Sequence, residues 1–356
     1  MMADADCVSC GKTSAGAKQS AERAGMGGSA NRLVVTGASG FIGKNLLAAL
    51  AERGHKLRVL ARDGRDDEFF RSLKAEIYTG DLRDPEVCGW LMDGASGLIN
   101  LASIVRKAGL PDSEFWELHV HAVKRLMEAA LKSGVKRVVH VSTTGVMGDI
   151  KNPPADEDSP YAVTDIYQVT KAEGEKAALS YNGEGGLAVT VVRPAMVYGP
   201  GDMRMLKLFR FIANGSFRMI GDGKTLAHPV YVDDLVDGII LAYEAKAAPG
   251  RVYIIGGEKY VTLAQWVGAI AKEAGVTLSR ATIPRWPVMM AAIMCEALCR
   301  PFKIEPPLFR RRVDFFVKNR AFSIERAKAE LGYSPKVGLA DGAKRTLEWY
   351  RERGLL

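Results

Sequence analysis

The chain has 356 residues, 47% hydrophobic and 25% charged, the make-up of a globular protein with room for one sizeable core or two modest ones. Its formal net charge of +8 is spread along the sequence without an Arg-rich, aromatic-interleaved stretch. That excludes a dedicated nucleic-acid binder and leaves anionic cofactors or anionic lipid surfaces as partners.

In chain order, residues 1–31 are rich in Ala, Gly and Ser and lack the apolar run of a signal peptide, so they read as a disordered tail in which Met26 offers an alternative start. Cys7 and Cys10 have zinc-like spacing, but no second Cys or His pair lies nearby and no metal is expected. With Cys88, Cys295 and Cys299 they are too scattered for a disulfide framework, which fits a reducing, cytoplasmic setting.

From Arg32 short apolar runs alternate with longer amphipathic stretches, the pattern of βαβ units and of a Rossmann-type, doubly wound parallel α/β sheet. Strands are predicted at Arg32–Thr36, Lys56–Ala61, Glu76–Thr79, Gly97–Asn100, Arg137–Val141, Ala188–Val192 and Val252–Ile255. Helices are predicted at Phe41–Arg53, Pro85–Met92, Phe115–Ser133 and Tyr167–Tyr181, with Gly54 and Gly134 as C-terminal stops. A dinucleotide-binding domain then covers 32–193 and is rejoined by 231–256, while 194–230 and 257–356 form a smaller, mostly helical substrate lobe.

Gly37-Ala38-Ser39-Gly40-Phe41-Ile42-Gly43 follows the first strand directly and opens a helix, the context in which a glycine turn binds a dinucleotide pyrophosphate. Gly37, Ser39, Gly40, Phe41, Ile42 and Gly43 are therefore candidate cofactor contacts, with helix-start N–H groups aimed at the phosphates. NAD enzymes usually end the second strand on an acid that holds the ribose 2′-hydroxyl. Here that strand ends Ala61-Arg62, a small residue and a guanidinium suited to a 2′-phosphate, so NADP is favoured over NAD.

Tyr167 and Lys171 are four residues apart on one predicted helix and share a face. A tyrosine hydroxyl titrates near about 10, and a close cation brings it toward working pH, so Tyr167 can exchange a proton with a carbinol or carbonyl oxygen while a cofactor exchanges hydride. The fifth strand delivers Ser142-Thr143-Thr144 at its C-terminal end, where open α/β sheets hold ligands and a hydroxyl can donate to the same oxygen.

These motifs, with Gly80-Asp81-Leu82-Arg83-Asp84, Asn100-Leu101-Ala102-Ser103 and Arg193 to Gly201, resemble the extended short-chain dehydrogenase/reductase family over residues 32 to 355. The resemblance implies that Asp81 and Leu82 flank the adenine, that Leu101, Ala102 and Ser103 line the cofactor, that Lys171 reaches the ribose hydroxyls, and that Pro194 and Val197 pass the nicotinamide. It also puts the catalytic hydroxyl on Thr143, counted back from Val146-Met147-Gly148, where Met147 replaces the usual aromatic residue. His119 occupies a helix position where the family commonly carries Asn; a satisfied helix histidine is the preferred reading over a member of a proton relay.

Sugar-nucleotide enzymes of the family typically hold an Arg shortly before Val232-Asp233-Asp234, where this chain has Ala227, and an Asn just beyond the sixth strand's Arg, where it has Pro194-Ala195. The remaining segments are similar to the 3β-hydroxysteroid dehydrogenase and dihydroflavonol-reductase-like branches, which implies a hydrophobic alcohol or ketone as substrate. A sugar-nucleotide epimerase or dehydratase, or a non-catalytic cofactor-binding subunit, are the rival readings, and a homodimer is compatible with all three. Finally, the apolar run from Trp286, followed by Arg310, Arg311 and Arg312, is too short to span a bilayer. It reads as a lid, as a peripheral membrane contact over 286–312, or as a buried lobe helix followed by a solvated basic face.

Overall fold

A computed structural model describes residues 32–104, 110–279, 281–299, 307, 308 and 310–356, so that the N-terminal tail with Cys7, Cys10 and Met26 lies outside the described residues. Seven parallel strands form the main sheet: β1 (Arg32–Thr36), β2 (Lys56–Ala61), β3 (Glu76–Thr79), β4 (Ala95–Asn100), β5 (Arg137–Val141), β6 (Ala188–Pro194) and β7 (Val252–Ile255). Their spatial order is β7-β6-β5-β4-β1-β2-β3. The order reverses between β1 and β4, and at such a switch point the loops leaving the strands' carboxyl ends part to make a crevice.

The strands are apolar nearly throughout because both faces are covered. Val35, Ile99, Val139 and Val192 pack against one helical layer, which includes α1 (Phe41–Glu52). Val34, Leu98, Val138 and Val189 face the other, built from α3 (Pro85–Met92) and later helices, while the short α2 (Asp67–Ser72) puts Phe70 into the first cluster. The predicted helix over Phe115–Ser133 is interrupted: α4 (Asp112–Trp116) passes through a π-helical turn, Glu117–His121, into α5 (Ala122–Lys132). An extra residue in that turn lets the π carbonyls splay toward a neighbouring helix, a distortion that periodicity does not reveal.

The neighbour is α6 (Ile166–Ser180), whose N-cap Asp165 accepts from the backbone N–H of Gln168 at 2.8 Å and thereby fixes the start of the helix that carries Tyr167. Beyond β6 come α7 (Leu206–Ala213), α8 (Val232–Glu244), α9 (Leu263–Ala274), α10 (Arg285–Cys299), α11 (Arg310–Val317), α12 (Glu325–Leu331) and α13 (Leu339–Glu352). The lobe also holds short strand pairs that the sequence reading omits, including Met196–Tyr198 with Pro229–Tyr231 and Leu226–Ala227 with Val261–Thr262. Strands of two or three residues are too short to leave a periodic signal. The large side chains of the lobe, Tyr198, Phe209, Trp266 and Tyr350, belong to the same buried cluster as Leu33 and Val35, so lobe and sheet share one core.

One reading is corrected here. In α10 only Ala292 is buried, so the apolar run from Trp286 is not a buried lobe helix. Arg310 opens α11, while the side chains of Arg311 and Arg312 lie outside the described residues.

Candidate active site

At the end of β1 the chain turns through Gly37, which adopts φ +68°, and Gly40 N–H closes the turn on the Gly37 carbonyl at 3.0 Å. A Cβ on Gly37 would meet the Leu101–Ala102 backbone, and one on Gly43 would run into the Gly37 and Ala38 carbonyls. Glycine therefore lets the turn, the helix and the loop after β4 meet. Helix α1 has no side-chain cap and no acid in its first turn, so its leading N–H groups and the positive end of its dipole face the crevice without a resident anion. Ser39 and Gly40 are exposed, and Phe41 and Ile42 are half-buried at its mouth.

The loop of Leu101, Ala102 and Ser103 is tied to the turn by Asn100, whose Oδ1 accepts from Thr36 Oγ1 at 2.6 Å and from Ala102 N–H at 3.2 Å. At the outer end of the crevice Arg62 is exposed just past β2, and its charge acts on Asp81. Hydrogen bonds from Arg83 hold the Asp81 carboxyl below the usual carboxylate range, with Leu82 buried beside it. A pyrophosphate-containing dinucleotide fits this arrangement: uncapped amides at the turn, a polar edge at Arg62 and Asp81, and a loop from β4 along its length.

At the inner end Lys171 is 2% exposed, and its ammonium donates to the Val141 carbonyl at 2.8 Å. Burial pulls its pKa down to about 8, against an opposing pull from Glu175 one turn further on. Tyr167, on the same face, is half-buried. Of the three hydroxyls ending β5, Ser142 is buried, Thr144 is buried and donates to the Pro194 carbonyl at 3.0 Å, and Thr143 is half-buried. Thr143 Oγ1 accepts from Gly145 N–H at 3.0 Å, which leaves its hydroxyl hydrogen for another acceptor. Pro194 and Val197 are buried where β6 runs out beside this group.

His119 is a wall of the site. Its Nε2 accepts from Ile104 N–H at 3.1 Å, so Nδ1 carries the hydrogen and donates to Thr170 Oγ1 at 2.9 Å, which itself donates to the Ile166 carbonyl. Burial, helped by Lys171, drives its pKa down to about 3, and its neutral ring stands edge-on to Tyr167 with centroids 5.6 Å apart. Both nitrogens are engaged and the ring does not titrate near neutrality, which is the satisfied-histidine arrangement rather than a relay.

Three contributors escape a sequence reading. Glu175, wholly buried, holds Arg193 through both carboxylate oxygens at 2.6–3.2 Å and accepts from Tyr161 Oη at 2.9 Å. Its position four residues after Lys171 was a signal that could have exposed it. Arg204, paired with the buried Asp202 at 2.9 and 3.0 Å, lies over the Phe41 ring at 5.6 Å and within electrostatic reach of Tyr167. Nothing in the local pattern marks it. His140, fully buried on β5, accepts from Asn100 Nδ2 at 3.1 Å, and burial pushes its pKa far down, so it extends a polar rung from Thr36 across three strands.

Comparison with known proteins agrees with this geometry. The model of the NAD dependent epimerase/dehydratase family matches residues 33–256. A farnesyl-dihydroquinoline-oxide ketoreductase of Stigmatella aurantiaca is 30% identical over 312 residues, covering 86% of this chain and 92% of its own. A 3 beta-hydroxysteroid dehydrogenase/isomerase of Mycobacterium tuberculosis is 28% identical over 335 residues, 90% of each chain. Among solved structures, the dTDP-glucose 4,6-dehydratase of Streptomyces venezuelae with NAD bound superposes with a TM-score of 0.71 at 27% identity, covering 91% of this chain and 98% of that one. The chain thus belongs to the NAD dependent epimerase/dehydratase family, as a nicotinamide-dependent oxidoreductase on the extended short-chain dehydrogenase/reductase fold.

Proposed function

We propose that the protein is an NADP-preferring oxidoreductase acting on a hydrophobic alcohol or ketone. The observation that carries the substrate class is the likeness, over nearly the whole of both chains, to a farnesylated-heterocycle ketoreductase, to hydroxysteroid dehydrogenases and to a 2-alkyl-3-oxoalkanoate reductase. The substrate-side lobe is consistent with it: Ala227 is buried and paired to Val261, so no guanidinium stands there to meet a nucleotide diphosphate. For the cofactor, the small, buried Ala61 followed by the exposed Arg62 supports a 2′-phosphate.

When bound, the nicotinamide supplies or accepts the hydride. Tyr167 gives its phenolic proton to the carbonyl oxygen during reduction and takes one back during oxidation. Thr143 donates to that same oxygen, stabilising negative charge as it develops. Lys171, fixed by Val141, keeps two N–H donors for the ribose hydroxyls and offsets charge forming on the phenolic oxygen.

A cofactor-absorbance screen tests the reading, with sterols, alkyl and aryl ketones and sugar nucleotides each offered with NADPH and NADH. Net NADPH turnover with an apolar ketone, and a roughly tenfold or greater loss of NADPH affinity in Arg62→Ala with NADH unchanged, is the expected result. Conversion of a sugar nucleotide without net cofactor change would overturn the substrate class, and equal losses for both cofactors would overturn the 2′-phosphate assignment.

A further inference from the structure

Helix α10 is amphipathic in reverse. Trp286, Met290, Ile293, Met294 and Leu298 are 73%, 51%, 40%, 61% and 69% exposed, and they recur at intervals of three and four residues, which aligns them on one side of the helix. Ala291 and Ala297 are the other exposed residues between them, so the water-facing stripe carries no polar side chain. Twelve large apolar side chains are exposed among the described residues, and six of them lie between Ile283 and Leu298. A soluble surface does not concentrate apolar groups in this way unless something covers them.

Charge identifies the cover. The net charge is not spread evenly along the chain, as its sequence first reads: positions 280–312 hold seven Lys and Arg against two Glu, net +5 of the chain's +8. Of these cations Arg285 is paired with Asp222 and Arg310 with Glu296, and the remaining basic residues flank the helix in sequence on both sides. At 15 residues α10 is about 22 Å long, and among the described residues no helix is long and apolar enough to cross a membrane. An apolar stripe opened by a tryptophan, too short to span and bordered by excess positive charge, is suited to lie in the plane of a lipid interface.

We propose that α10 docks the protein on the surface of an anionic bilayer, with Trp286, Met290 and Met294 entering the boundary between headgroups and acyl chains. Membrane docking can be tested without substrate or cofactor. The full chain is sedimented with vesicles of mixed phosphatidylglycerol and phosphatidylcholine, with phosphatidylcholine alone, and with the mixed vesicles at about 0.5 M salt. Strong partitioning onto the anionic vesicles, at least tenfold weaker on phosphatidylcholine and reduced by salt, is expected. The triple variant Trp286→Ser, Met290→Ser, Met294→Ser, which alters only exposed positions, should lose at least tenfold in partitioning and keep its melting temperature. A parent that stays in the supernatant with anionic vesicles at low salt, or a triple variant that binds as well as the parent, overturns the proposal. So does concentration-dependent self-association that the triple variant abolishes in the absence of vesicle binding, because the stripe would then belong to a second copy of the chain.

Discussion

The Glu175–Arg193 pair connects stability to catalysis and can be perturbed from either side. Glu175 is wholly buried and Arg193 is 3% exposed, with contacts at 2.6, 3.1 and 3.2 Å. Glu175→Leu removes the carboxylate and leaves a guanidinium in the interior with no countercharge, held only by the neutral Glu157 carbonyl and the Tyr161 side chain. Breaking a buried pair from one side costs about 3–5 kcal/mol, most of it the desolvation of the stranded charge. For a chain of 356 residues, with an unfolding entropy of about 2.1 cal/mol/K per residue, that is a fall in Tm of about 4–7 °C. Arg193→Met alone should cost a similar amount, whereas the double variant should recover at least half of the summed loss, since both charges leave together. Urea denaturation of all four proteins closes the cycle. A loss under about 1 kcal/mol in Glu175→Leu, or strict additivity in the double variant, would refute the reasoning. The single variant also removes the charge that opposes the effect of burial on Lys171, so the Lys171 pKa should drop further below about 8 and the alkaline fall in kcat should move to lower pH.

Tyr167→Phe should abolish turnover with any confirmed substrate while cofactor affinity by calorimetry stays nearly unchanged, because only the transferable proton is deleted. Thr143→Ala should lower kcat on the order of 10²-fold, while Ser142→Ala, which removes a buried hydroxyl, should leave steady-state kinetics close to those of the parent. Lys171→Met should be inactive yet more stable at neutral pH, on the order of 2 kcal/mol by denaturant midpoint. The folded pKa of about 8 lies below the unfolded value, so charging Lys171 opposes folding fully below pH 8, and that penalty disappears as the pH rises toward about 10.5. Parent and variant should therefore converge in stability over that alkaline window, and a constant difference across it would count against the assignment.

The sheet and its glycine turn were legible because a buried parallel strand must be apolar on both faces and a pyrophosphate site must be small: Val34-Val35 and Gly37 to Gly43 satisfy both locally. Tyr167 and Lys171 were legible for a similar reason, as one helical turn fixes their relation. Arg204 was not, because its place beside Phe41 is set by the loop after β6 and by Asp202, a tertiary fact with no periodicity. The π turn at His119 escaped because an added backbone residue changes the phase of a helix without changing its composition. The stripe of α10 was seen as apolar, but whether it faced the core or water depended on how the lobe closed.

The contact between α6 and the π turn sets how this site can change. A Cβ added at Gly174 would collide with the His119 carbonyl, so the catalytic helix rests on its neighbour backbone to backbone, one turn from Lys171. That contact is a mechanical stop without adjustable parts: no rotamer can absorb an error there. Redesign of substrate preference is therefore free to rework the lobe beyond β6, while even Gly174→Ala, conservative by composition, would displace Tyr167 and Lys171 together and disable every substrate alike.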